Sequence, residues 1–339
     1  MKALVYSDWD QLEVRDVPEP KAGAGEVVVR VAAVGICGSE LEGFATRSPR
    51  RTPPLIMGHE FCGEVQEVGE GVSGHRPGDR VVVNSVISCG RCPACRDGQP
   101  HLCPEREVFG MKRPGGFAEL CAVPVSTLLS LPEKVSPVEG ALVEPLANGV
   151  HALSLVAQRL PETVLVIGAG TIGLMALQVA KAMGAFRLVC ADTNERRLEV
   201  AHALGAEPVF NPVRGDLVAA IREFTRGRGA DVVIDAVGAS VTRRQAVAAS
   251  RPGGEVVWIG LHEDVTELSG FDVVLGERRV TGSYAVTPRD LQTAIGLFAH
   301  GKIEVAPWVR PFPLSEGARV FRQLVTAPPE EYIKALLLP

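Results

Sequence analysis

A short apolar run, Val164-Leu165-Val166-Ile167, passes directly into Gly168-Ala169-Gly170-Thr171-Ile172-Gly173 and then into a helix-period stretch, 174–183, that stops at Gly184. Strand, glycine turn and helix in immediate succession leave few folds open. In such a turn the first glycine makes the tight bend, the second lets backbone approach a pyrophosphate, and the third permits close packing of helix on strand. The start of the helix then offers unpaired N–H groups and a partial positive charge to an anion. Gly168, Gly170, Thr171, Ile172 and Gly173 are therefore the expected phosphate cradle. In a chain with 36 glycines the pattern alone is weak, and its place between strand and helix gives it weight.

Further apolar runs at 187–191, 231–236 and 255–260 alternate with amphipathic stretches, which predicts a doubly wound parallel sheet. The second run ends at Asp192, 24 positions (192 − 168) beyond Gly168 and close to the ~20 at which an acid meets the adenosine ribose. Its carboxylate repels a 2′-phosphate, so NAD is expected over NADP. Arg197, with Arg196, either covers the adenine, partly neutralises a phosphate, or starts a solvated helix. The later runs end at the edge where open α/β sheets bind ligands, which places Val237, Ile259 and Gly260 beside the cofactor.

Upstream the texture is different. Short β-branched runs such as Val27-Val28-Val29 and Val81-Val82-Val83 are broken by Gly and Pro, as in an all-β barrel or sandwich. The expected organisation is a β-rich domain over 1–149, the parallel-sheet domain over 150–284, and a segment 285–339 that returns to the first domain. With 339 residues, 46% of them hydrophobic and 22% charged, the chain has material for about two cores. A net charge of −5 without basic runs argues against nucleic acid as a partner. The uncharged stretch 163–180 holds three glycines and Gln178, so it reads as a buried strand and helix and not as a bilayer span. Asp8 and Asp10 interrupt the N-terminus before an export signal could form, and a reduced, cytoplasmic setting is expected.

Cys89-x-x-Cys92-x-x-Cys95, followed by Cys103, crowds four of the eight cysteines into 15 positions. Four thiolates at this spacing suit a tetrahedral zinc with no open position, hence a structural one. A disulfide knot and an iron–sulfur cluster are the competing readings, and the cluster would need a different final gap. A second, dispersed set is Cys37 in Gly-Ile-Cys-Gly-Ser, His59-Glu60 in Gly-His-Glu-Phe-Cys-Gly, and Glu144 in Leu-Val-Glu-Pro-Leu. Singly, each is also compatible with a core or surface role. Arg50, Arg51, Lys112 and Arg113 sit in flanking loops, as substrate contacts or solvated surface.

These motifs, with Gly78-Asp79-Arg80-Val81 and Gly115-Gly116-Phe117-Ala118-Glu119, resemble in joint order the zinc-dependent medium-chain alcohol and polyol dehydrogenases over essentially the whole chain. The resemblance implies a GroES-like β-barrel domain carrying two zincs and a Rossmann domain carrying NAD, with catalysis in the cleft between them. Cys37 and His59 match catalytic zinc ligands, Glu60 and Glu144 are the candidate acidic ligands, and Ser39 matches a hydroxyl that relays the alcohol proton. Glu144 in place of a cysteine points toward sorbitol-, threonine- and sugar-alcohol-phosphate-type members. Glu40 and Glu42 depart from an Asp and a His common at those positions. Cys62 and Cys121 match no ligand and are expected in the core. The implied reaction is hydride transfer between a secondary alcohol, a polyol or polyol phosphate, and NAD, with an L-threonine-type substrate as runner-up. A homodimer or homotetramer is expected, with the run at 256–259 as an edge strand or the cysteine lobe as contact. A non-catalytic cofactor-binding sensor is the competing class, and would have no use for the dispersed ligand set.

Overall fold

The computed structural model describes residues 1–157 and 160–339. The chain forms two compact units. One comprises Met1–Glu144 with Val286–Gly301 and Val305–Pro339, and the other Pro145–Ala285 with Lys302–Glu304. The division falls inside the helix Val143–Ser154, earlier than the boundary expected after residue 149. The helix start is held in the first unit, where Glu144 accepts a hydrogen bond from Ser85. Residues 302–304 depart from the expected C-terminal segment because Gln178 in the second unit brackets the Glu304 backbone, at 2.7 and 3.1 Å.

The first unit is built on a sheet in which Glu26–Gly35 lies between Glu60–Val68 and the last strand, Lys334–Leu338. A smaller sheet orders Gln11–Asp16, Lys2–Asp8 and Leu55–Ile56. Their inner faces share an aromatic core of Tyr6, Phe44, Phe61, Phe109, Phe117 and Phe321. Phe61 meets Phe109 edge-on at 5.6 Å between centroids. That packing sets register, because a slip of one residue would turn Glu60 into the aromatic core and Phe61 out of it.

The second unit holds six parallel strands in the order Val209–Phe210, Arg187–Ala191, Thr163–Ile167, Ala230–Asp235, Ser250–Trp258, Arg279–Gly282. Every residue of Thr163–Ile167 and Ala230–Asp235 is buried, as strands covered on both faces must be. The helix Thr171–Ala182 buries Gly173 through Ala180, so the uncharged stretch is spent on core; among the described residues no helix is long and apolar enough to cross a membrane. Gly184, at φ +91°, ends that helix with its N–H on Lys181 O and the Ala185 N–H on Ala180 O.

The structure alters two expectations about the strands. The strand expected from residue 255 begins at Ser250, taking in Pro252-Gly253-Gly254 across an irregularity in its pairing with Ala230–Asp235. A bulge tolerates the proline and glycines that read locally as a break. That strand is also internal. Arg279–Gly282 pairs along its outer side, so the run at 256–259 is not an edge, and Arg279–Gly282 forms the sheet border.

Candidate active site

Gly35 stands opposite Glu60 in the antiparallel pairing, and Cys37 follows two residues later at the start of the helix Gly38–Ala45. A Cβ on Gly35 would lie 2.0 Å from a Glu60 carboxylate oxygen, so this glycine makes room for the acid. Gly58, at φ +95°, turns the chain so that His59 enters beside it; a Cβ there would come 2.8 Å from the Phe117 backbone nitrogen. Cys37, His59 and Glu60 thereby bring one donor atom each to within 4.8 Å of one another. That spacing lets a thiolate, an imidazole and a carboxylate converge on one zinc with bonds of about 2.0–2.3 Å. Glu144 is buried with its carboxylate on Ser85 Oγ at 3.0 Å, and is not one of the three converging donors.

Glu40, noted in the sequence only as a departure, is wholly buried. One oxygen accepts from Gly58 N at 2.8 Å and meets His59 Nδ1 at 2.9 Å, and the other accepts from Cys37 N at 3.0 Å. A carboxylate on Nδ1 fixes the tautomer that leaves Nε2 for a metal. Burial opposes charge on both groups, but each counters it for the other. The Glu40 carboxylate holds His59 well above the usual imidazole range, and His59 keeps Glu40 below the usual carboxylate range. Glu40→Gln should lower zinc affinity at this centre about 10–100-fold, read as faster zinc loss on dialysis against a chelator; unchanged retention would deny Glu40 this role.

Lys334 is a site residue that sequence reasoning does not find. It is buried, donates to Ile36 O at 2.9 Å and ion-pairs with Glu60. Burial pushes its pKa down, and the Glu60 charge more than restores it. The one local signal is a lysine followed by Ala335-Leu336-Leu337 in a strand-like run. Ser39 is exposed, donates to Cys37 Sγ at 3.3 Å and accepts from Arg51 Nη2 at 3.1 Å. Of the four flanking cations, Arg50 and Lys112 are exposed, Arg113 pairs with Glu26 at 2.6 Å, and Arg51 is buried.

The second metal set lies in the loop around the short helix Pro93–Arg96. The donor atoms of Cys89, Cys92, Cys95 and Cys103 share one 4.8 Å cluster, and none is in a disulfide. Cys92 Sγ and Cys95 Sγ stand 3.5 Å apart, close to the ~3.8 Å edge of a tetrahedron with 2.3 Å zinc–sulfur bonds. Backbone N–H groups of Arg91 and Cys92 draw Cys89 down to about 6. At Cys92 a backbone N–H from Cys95 also pulls down, but desolvation and the neighbouring thiols drive it up to about 12. Thiols so crowded ionise together only around a cation. Cys62 and Cys121 are core residues whose thiols burial pushes up to about 12.

In the other unit the glycine turn has the shape its residues imply. Gly168 sits at φ +97°, and a Cβ on Gly173 would lie 1.7 Å from Gly168 O. Around a Cβ on Gly170 there is open space, the room that a pyrophosphate would need. Thr171 and Ile172 begin the helix without a side-chain cap. Asp192, at the end of its strand, accepts from Ala169 N at 2.7 Å and Asn194 N at 2.8 Å, with Arg197 Nη1 at 3.9 Å. Val237 and Gly260 are in close backbone contact, since a Cβ on Gly260 would meet Val237 C at 2.1 Å. Asp235, read in the sequence only as a strand end, organises this edge. Its side chain accepts from Val237 N and Gly238 N, and its carbonyl from Ile259 N and Gly260 N, all at 3.0 Å.

Residues 23–133 match the alcohol dehydrogenase GroES-like domain family and residues 171–300 the zinc-binding dehydrogenase family. The chain belongs to the zinc-dependent medium-chain alcohol and polyol dehydrogenases. It is 36% identical over 302 residues to the L-threonine 3-dehydrogenase of Pyrococcus abyssi, covering 87% of this chain and 86% of the relative. It is 33% identical to the D-arabitol-phosphate dehydrogenase of Enterococcus avium, covering 94% and 92%. The crystal structure of a zinc-binding dehydrogenase from Sinorhizobium meliloti 1021 bound to NADP superposes with a TM-score of 0.93 at 34% identity, covering 100% and 99%.

Proposed function

We propose that this zinc-dependent alcohol and polyol oxidoreductase uses NAD to oxidise a secondary alcohol, a polyol or polyol phosphate. The convergence of Cys37, His59 and Glu60 carries the reading. Bound there, zinc would supply a Lewis acid that lowers the pKa of the substrate hydroxyl, while NAD on the glycine turn supplies the hydride acceptor. Cys37, His59 and Glu60 would be the resting ligands, with Glu144 held on Ser85. Glu40 keeps His59 Nδ1 occupied and Nε2 outward. Lys334 draws on the Glu60 carboxylate and so keeps that ligand exchangeable. Ser39, exposed beside Cys37, would take the hydroxyl proton while giving up its own, now directed at Cys37 Sγ, to water, as the carbinol carbon gives up its hydride. Asp192 would bind the adenosine ribose hydroxyls and repel a 2′-phosphate, which supports NAD over the NADP seen in the Sinorhizobium protein.

The test is a zinc-replete assay with NAD or NADP against polyols, polyol phosphates and L-threonine. NADH absorbance should develop with a polyol or polyol phosphate, and NAD should outperform NADP by about tenfold or more, as one like-charge contact of ~1.4 kcal/mol implies. Absorbance with L-threonine alone would replace the polyol by an amino alcohol within the same chemistry. No absorbance with any secondary alcohol would sink the proposal.

A further inference from the structure

Arg51 is 3% exposed, yet among the described residues no carboxylate lies within 4.0 Å of its guanidinium, and its Nε is buried with no hydrogen-bond partner. The buried Glu40 carboxylate acts on it only at longer range, so the cation is incompletely compensated, and the orphaned Nε adds to the cost. Its other two nitrogens are both spent on one residue. Nη1 donates to Ser39 O at 2.9 Å and Nη2 to Ser39 Oγ at 3.1 Å. The helix Gly38–Ala45 is shaped to admit it, since a Cβ on Gly43 would stand 3.1 Å from Arg51 Cδ and 3.2 Å from Nη1.

The consequence falls on the Ser39 hydroxyl, which has one proton and two lone pairs. The proton points to Cys37 Sγ, and one lone pair takes Arg51 Nη2. Guanidinium has no acceptor and stays protonated, so its bond to Ser39 runs in one direction only. What remains on this exposed residue is a single lone pair, aimed by partners on its other sides. Unclamped, a serine hydroxyl would rotate among staggered wells and as often present its proton to an incoming hydroxyl as its lone pair.

We propose that Arg51 is a positioning residue which, by gripping both oxygens of Ser39, presents the hydroxyl as a hydrogen-bond acceptor to the substrate alcohol. This rests on the role given to Ser39 above, and the experiment separates the two. Ser39→Ala, Arg51→Lys, Arg51→Gln and the two double variants are compared for kcat, KM, zinc content and melting temperature. Lysine keeps the charge but cannot hold both oxygens, and glutamine keeps a donor without the charge, so the inference remains testable if one of the two fails to fold.

Ser39→Ala should reduce kcat about 100-fold, and Arg51→Lys about tenfold. KM for NAD should stay at its wild-type value and zinc at two per chain. In the Ser39→Ala background either Arg51 change should alter kcat by less than about twofold, because residues acting as one unit are not additive. Equal losses from Arg51→Lys with and without Ser39 would overturn the inference and leave Arg51 as a tie between loop and helix. An Arg51→Lys variant in which only the melting temperature falls would overturn it as well. A Ser39→Ala variant with wild-type kcat would instead sink the reading of Ser39 itself.

Discussion

Cys37→Ala should carry one zinc per chain where the unaltered protein carries two, and should oxidise its alcohol at least about 1,000-fold more slowly. Metal polarisation supplies several kcal/mol of transition-state stabilisation, at about 1.4 kcal/mol per tenfold in rate. The remaining donors, His59 and Glu60, are already engaged, one by Glu40 and the other by Lys334. Without the thiolate they form an imidazole–carboxylate and a carboxylate–ammonium pair that need no ion. Melting should therefore change little, because Cys37 is only half-buried and lies outside the aromatic core. Metal analysis by mass spectrometry, with calorimetry on the same sample, checks both halves. Two zincs retained with full turnover would remove Cys37 from the centre.

Cys103→Ser should give the opposite pattern: one zinc lost, a substantial fall in melting temperature, and near-normal turnover at low temperature per folded chain. Little apolar packing backs this loop: the helix Pro93–Arg96 buries nothing, and Cys103 itself is the member of the set with no exposed surface. Zinc binding in small sites of this kind is worth about 10–16 kcal/mol in isolated peptides, part of which here is order in the loop. Limited proteolysis should cut within 89–103 in the variant and spare the parent. A variant that loses activity and keeps its melting temperature would mean that the two sets had been given each other's roles.

The parts of the site legible in the sequence were those in which function and neighbourhood coincide. Gly168, Gly170 and Gly173 supply a bend, an open side and a close approach within six residues, so their spacing states their purpose. The four cysteines of the lobe are likewise close enough in the chain that an ion closing the loop follows from spacing alone. Cys37 and His59 needed the resemblance, because nothing local says that the strands beside them, Glu26–Gly35 and Glu60–Val68, pair. Lys334 showed only a strand-like run and Arg51 only a place in a flanking loop, since what each does depends on the residues that the fold sets against it.

Periodicity and spacing thus determined that the chain has a β-rich part, a parallel α/β part, a glycine turn of dinucleotide-binding shape and four cysteines spaced for one zinc. Tertiary structure alone decided that Glu60 converges with Cys37 and His59 while Glu144 lies against Ser85, that Glu40 meets the imidazole, and that the sheet ends at Arg279–Gly282. The physical reason is register. Glu60 faces Gly35 and Leu336 faces that same residue from the other side, so three segments up to 301 positions (336 − 35) apart meet at one point through backbone pairing that no single segment encodes.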